Sequence, residues 1–363
     1  MERTWVYYDP FPTTTPRRIV IQDARPRAFH LISRCVRRAF LCGDAAEHRR
    51  AWLEQGIKTQ VQAFAIDVLT FAVMSNHLHI VVKTDPHRTQ GWTGREVAER
   101  WGLLFPKIDA DTGAAGQWTA ADIDRCAANP AWIETRRARL ASVSWFMRLL
   151  KQRIARRANA EDKVTGHFWE GRFHSVALLD AAAVVSCMAY VDLNPIRAAI
   201  VTTPEASDYT GIQLRIEARQ AHRKTQAVLV QAPQQVDLLV AETARLRADQ
   251  GPEHGLWIAP CLKATAGQLD VDTYLELVDQ TGRLLRGDKR GHIPAHLAPI
   301  LERLHIDVAT WLDVMRSRGR FLGSAVGAVI HLVSEATRRG LKWVIDTTGI
   351  HRDRRQRAIP VTA

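Results

Sequence analysis

Two histidines, His77 and His79, flank Leu78 and are the first residues here whose spacing suggests chemistry. On a strand, residues two apart face the same way, so both imidazoles could grip one divalent ion while Leu78 turns to the other side. In a chain with 14 histidines the pattern alone is weak. Its setting adds to it, because Ser75 and Asn76 make a tight turn that places both rings at a strand edge open to a substrate. Tyr190 is the second candidate. It shares one arc of a helix with Ala183, Ser186, Cys187 and Asn194, small or polar side chains that would let a bulky ligand reach the phenol. The plainer reading of Tyr190 is a half-buried aromatic with its hydroxyl hydrogen-bonded. Asn194, one turn later, could point an amide oxygen at an ion shared with His77 and His79, or could end one helix and cap the next before Pro195.

A third feature is charge. Arg136, Arg137, Arg139, Arg148, Lys151, Arg153, Arg156 and Arg157 occur with no acidic residue between them. Such a run is either a solvated basic face or a phosphate-binding one, and the missing counter-charges favour nucleic acid. Trp145, Phe168, Trp169 and Phe173 lie nearby and could stack bases, although core packing accounts for most aromatics. The basic stretch 351–357 is another phosphate-seeking candidate, or a frayed tail.

The elements that must position these residues follow from hydrophobic period. Residues 28–33 alternate as a strand, 45–57 read as an amphipathic helix, and 64–73 and 77–84 form a hairpin closed by Met74-Ser75-Asn76. Residues 85–142 change texture to Gly, Pro, Thr and Trp with short helical patches, and are too long for an ordinary connection, so they read as an insertion. A helix over 139–158 packs Leu140, Val143, Met147, Leu150 and Ile154 on one side and offers a basic other side. A strand over 168–179 and a helix over 181–193, capped by Asp180, complete the series. The order predicts an α+β fold: a mostly antiparallel, ferredoxin-like sheet with helices on one face. Helices over 236–247, 271–285, 297–304, 308–318 and 324–338 predict a mainly helical C-terminal part, which divides the chain into residues 1–203 and an extension over 204–363.

With 46% apolar and 24% charged residues in 363, the chain has globular usage and length for more than one core. Its longest apolar stretch, 322–333, is too short to cross a bilayer and its first residues lack the pattern of a secretion signal, so a cytoplasmic protein without membrane contact is expected. Five scattered cysteines without C-x-x-C argue against a disulfide framework or structural zinc. The net charge of +12 favours a polyanionic partner. Residues 1–200 hold 28 basic and 20 acidic side chains, so the excess leans to that part.

Taken together, three segments resemble the single-tyrosine HUH transposases, especially the REP-associated tyrosine transposases. They are Met74-Ser75-Asn76-His77-Leu78-His79-Ile80-Val81-Val82, Phe168-Trp169-Glu170-Gly171-Arg172-Phe173 and Tyr190-Val191-Asp192-Leu193-Asn194-Pro195-Ile196-Arg197-Ala198. The likeness covers about residues 17–203 and is interrupted by a longer 85–142 segment than is usual. It implies a ferredoxin-like palm, Mg²⁺ or Mn²⁺ held by His77 and His79 with Asn194, and Tyr190 as the nucleophile that forms a 5′-phosphotyrosine on single-stranded or hairpin DNA. A homodimer is left open. On this reading Arg148, Lys151, Arg153, Arg156 and Arg157 are candidates for DNA backbone contact. Two rivals remain: a hairpin-binding regulator that does not cut, and a metal-dependent hydrolase that uses water.

Overall fold

A computed structural model describes residues 20–21, 25–109, 112–231, 256–260, 269–285, 311–312, 315, 325–340, 343–345 and 358–360. Strand β1 (Arg27–Arg34) leads through helix α1 (His48–Ala63) to the hairpin strands β2 (Ile66–Val73) and β3 (His77–Thr84). Helices α2 (Gly94–Leu104), α3 (Ala120–Ala127) and α4 (Pro130–Leu140) occupy most of the expected insertion, and the 20-residue helix α5 (Val143–Asp162) follows. The chain then forms β4 (His174–Leu178), α6 (Ala181–Asp192) and the single turn α7 (Asn194–Arg197). Beyond it lie α8 (Gly211–Gln231), α9 (Val271–Leu285), β5 (Ala325–Val326) and α10 (Val329–Arg339).

The fold is α+β around a mixed sheet with strand order β2-β3-β1-β4-β5. Its first four strands pair antiparallel and β5 joins β4 in parallel. The register sets Arg34 opposite His77 and Ile32 opposite both His79 and His174. A bulge between Val68 and Thr70 resets the alternation of β2. Ile66 and Val68 before it, and Phe71 and Val73 after it, all face one core, while Ala72 faces the other.

Those two cores overturn the expectation of helices on one face. Leu78, Ile80 and Val82 share a core with the Val143, Phe146, Met147, Leu150 and Ile154 stripe of α5 and with Leu53 and Ile57 of α1. Val81, Ala72, Val176 and Leu178 share the other with α6. The physical reason is composition: β1, β2 and β3 are apolar at both parities over much of their length, as strands covered twice must be. Burying Phe146, Leu150 and similar side chains contributes roughly 1.5–3 kcal/mol each.

Other boundaries moved for local reasons. The expected strand 168–179 is confined to 174–178. Residues 168–173 instead run beside the end of β1, where Trp169 bridges Cys35 and the Glu170 amide donates to the Arg34 carbonyl at 2.9 Å. The helix expected over 139–158 is two helices, broken at Ala141–Ser142. The helix expected over 271–285 is present with those bounds, and 324–338 is a two-residue strand followed by α10. Helices expected over 236–247 and 297–304, and most of 308–318, lie outside the described residues, as does the basic stretch 351–357. Ile212, Ile216, Tyr274 and Val278, beyond residue 203, are buried in the same core as α6. Among the described residues, no helix is long and apolar enough to cross a membrane.

Candidate active site

The hairpin turn builds the first half of the site. The Met74 amide donates to the His77 carbonyl at 2.8 Å, and the carbonyls of Ser75 and Asn76 accept from the Cys42 and Cys35 amides, each at 2.8 Å. The Asn76 side chain is anchored in turn, donating from Nδ2 to the Arg38 carbonyl at 2.9 Å. Its oxygen accepts from His77 Nδ1 at 2.7 Å. An amide oxygen can only accept, so this bond fixes the His77 tautomer with its lone pair on Nε2. Two residues on, His79 Nδ1 lies 2.9 Å from Nε2 of the fully buried His30 on β1. When His79 donates in that bond, its lone pair too sits on Nε2. The His77 and His79 ring centres are 4.9 Å apart.

Burial, with Arg34 alongside, pushes His77 down to about 4. His79 is pushed well below its usual value by burial first, then by His77, His30, Arg34 and Arg197. Both rings are neutral at neutral pH, the form that ligates a divalent ion. Side-chain partners on Nδ1 and lone pairs directed to Nε2 are what a histidine-ligated metal requires. Two such neutral imidazoles can donate to a divalent metal ion. Among the described residues, no group of three or more His, Cys, Asp or Glu is arranged to hold a metal.

Helix α6 supplies the second half. Asp180 caps it as expected, accepting from the Ala183 amide at 2.8 Å. The Tyr190 ring centre lies 6.3 Å from that of His79 and 6.3 Å from that of His30. The phenol is 6% exposed, with the Arg197 guanidinium 4.1 Å from its ring centre. Ala183, Ser186 and Cys187 do not open a recess beside it; all three are buried, and their small size lets α6 pack closely on the sheet. Asn194 is buried at the start of α7. The cap position of that turn is Leu193, with no side-chain bond, so the capping alternative for Asn194 is not realised.

Between Tyr190 and Asn194, the fully buried Asp192 accepts from Thr70 Oγ1 at 2.5 Å and from the Tyr274 hydroxyl of α9. Burial pushes its carboxyl up to about 6, against the pull of Arg215 and of those two hydroxyls. Thr70 reaches Asp192 because the β2 bulge turns it toward α6. Gly211 is the residue that permits this approach, since a Cβ there would sit 2.2 Å from Thr70 Oγ1.

Beside the histidine pair, Ile32, Arg34, Glu170, Gly171, Arg172 and His174 line a cleft of ≈ 340 Å³. Arg34 and Ile32 are the register partners of His77 and His79, so the cleft continues the same sheet face. Sequence reasoning missed His30, Arg34 and Arg197. The expected strand 28–33 carries His30 and Ile32 on one face, but the cross-strand register that brings them and Arg34 to His77 and His79 has no local signal.

The five cationic candidates lie on α5. Helix α5 packs on the core of Leu78 and Ile80, the opposite sheet face from Tyr190. Lys151 donates to the Gly171 carbonyl at 2.6 Å, at the cleft rim, and Arg153 donates to the Leu104 carbonyl. Arg148, Arg156 and Arg157 are exposed, and Arg157 lies 3.7 Å from the Trp52 ring centre. Phe168, Trp169 and Phe173 are core residues, whereas Trp145 is half-buried. No protein-family model, curated protein or solved structure matches the chain.

Proposed function

We propose that this protein is a tyrosine-dependent transposase of the single-tyrosine HUH kind, which cleaves and rejoins single-stranded, hairpin-bearing DNA on a ferredoxin-like sheet. One observation carries the reading: the Tyr190 and His79 ring centres are 6.3 Å apart on one sheet face, with His77 beside them. A single phosphodiester can span that gap. The strand order β2-β3-β1-β4, with α1 and α5 as crossovers, agrees with such a palm.

Mg²⁺ or Mn²⁺, held by His77, His79 and Asn194, would supply Lewis-acid stabilisation of charge on the scissile phosphate. The chain's own residues account for the rest. Arg34 and Arg172 draw the DNA backbone into the cleft beside the histidines, and Ile32 gives that cleft an apolar floor. His30 and Asn76 hold the two imidazoles in one tautomer and orientation. Arg197 lies over the ring of Tyr190 and limits its swing. Tyr190 Oη attacks phosphorus in line: the Oη–P bond forms, the P–O3′ bond breaks, the phenolic proton passes to water, and the departing 3′-oxygen takes a proton from water to leave as a hydroxyl. The phosphotyrosine conserves the bond, so a 3′-hydroxyl can reverse the attack without ATP.

The test is a denaturing gel of wild type and Tyr190→Phe with labelled single-stranded hairpin and duplex oligonucleotides, with and without Mn²⁺. The expected outcome is a covalent adduct for wild type on single strands with metal, and none for Tyr190→Phe although it binds equally well. Protein-free 5′-phosphate ends would point instead to a water-using hydrolase. Hairpin binding with no cleavage by wild type would point to a regulator.

A further inference from the structure

Several cations of the 136–157 run lie against indole rings. Arg136 lies 4.4 Å from the Trp132 ring centre and 5.4 Å from that of Trp101. Arg139 lies 4.3 Å from Trp145 and 5.8 Å from Trp101, and Arg148 reaches the same Trp145 at 4.9 Å. Trp101, on α2, stands 6.4 Å from Trp132 and 6.3 Å from Trp145. The result is a continuous ladder, Trp132–Arg136–Trp101–Arg139–Trp145–Arg148, that joins the 85–142 segment to α5. A guanidinium over an indole face gains about 0.5–2 kcal/mol and keeps its charge.

Neighbouring arginines in the same segment are neutralised. Arg137 pairs with Glu134 at 2.9 Å, Arg95 with Glu99 at 3.0 Å, and Arg125 with Asp122. Among the described residues, no carboxylate stands within ion-pair distance of Arg136, Arg139 or Arg148. Three preorganised, uncompensated cations in a row are costly for the protein alone and complementary to a row of anions. The rings are occupied by guanidinium, which leaves little bare face for bases, so the complementary feature is a phosphodiester backbone. An acidic polypeptide would offer carboxylates on flexible stems; regularly spaced backbone charges on one polymer suit a fixed row better.

We propose that Arg136, Arg139 and Arg148 form a second nucleic-acid contact, a sequence-independent grip on the phosphodiester backbone, on the side of the sheet opposite Tyr190. This goes beyond the strand-transfer reading and does not need it. It gives the 85–142 segment a role: to supply Trp101, Trp132, Arg136 and Arg139 to that grip.

Fluorescence anisotropy with a labelled 30-nucleotide single strand, and separately a 20-base-pair duplex, over a range of salt concentrations tests it on the full chain. The variant Arg136→Ala/Arg139→Ala/Arg148→Ala should bind at least about tenfold more weakly, with a salt dependence shallower by about 2 in logarithmic slope. Scrambling the sequence should change nothing. If the triple variant fails to fold by circular dichroism, Arg148→Glu carries the same test at an exposed position. Unchanged affinity and slope would overturn the proposal. So would competition by polyglutamate as effective as by DNA of equal charge, which would mark the ladder as a protein-docking surface. Wild-type protein that binds through the ladder yet never forms an adduct would sink the transposase reading and leave this one standing.

Discussion

The two faces of the central sheet both carry nitrogen-rich side chains and treat them in opposite ways. On the face of Tyr190, His30, His77 and His79 are hydrogen-bonded through ring nitrogens, and burial drives His77 and His79 to their neutral forms. On the face of α5, guanidiniums keep their charge and lie on indole rings at half-exposed or exposed positions. Burial depth separates the two outcomes. An imidazole can shed its proton when water is removed, and so becomes a ligand; a guanidinium cannot, and must find a ring, a carboxylate or an external anion. Under the two proposals, local bond chemistry falls to one face and long-range attraction to the other.

That division can be broken most forcefully from the basic side. Phe146 is fully buried and packs edge-on to Phe64 at 5.4 Å. Phe146→Ala should cost about 3–5 kcal/mol in denaturant unfolding. If the faces are separable, adduct formation by the protein that remains folded should stay near the wild-type rate. Loss of adduct in step with α5 packing would show that they are coupled. On the other side, His30→Ala removes the partner of His79 and should weaken Mn²⁺ binding by about 10–100-fold in calorimetry, with ladder-dependent DNA binding unchanged.

Asp180 offers a smaller, sharper cut, because it caps α6 and also accepts from the Ala328 amide at 2.6 Å. Asp180→Ala should lower stability by about 1–2 kcal/mol, read as a shifted denaturant midpoint. The smallest effect is expected at Glu335. Burial would raise its carboxyl, but Arg338, Arg339 and Arg27 outweigh that and hold it at about 2. A carboxyl lower in the folded than in the unfolded chain stabilises above its ordinary value of 4.5, and that share is lost as pH falls toward about 2. Glu335→Gln should flatten the acid limb of the melting-temperature profile over that window and leave the histidine face untouched.

Local features were readable from the sequence, whereas pairings between distant segments were not. The span of β3, the Asp180 cap and the bounds of α9 follow from alternation, turn residues and helical period within a dozen positions. The Tyr190–His79 approach was reached by resemblance, not by periodicity. The register of β1 against β3 and the β2 bulge are set by contacts across the sheet, so His30 and Thr70 carried no signal of their roles. The 85–142 segment did carry one that was passed over. Thr93 with Glu96 and Thr119 with Asp122 are capping boxes, and they open α2 and α3. The stripe of α5 was legible, but a stripe says that one side is covered and not which sheet face covers it.

The carboxyl at position 192 ties the helix of Tyr190 to chain that comes much later. Two of its stabilising neighbours, Tyr274 and Arg215, lie past residue 203. A protein trimmed at that residue would retain every group of the proposed reaction and yet leave an acid stranded in oil two positions from the phenol. The later segments thus act as a splint, and on the proposed reading the shortest competent chain reaches at least through Tyr274.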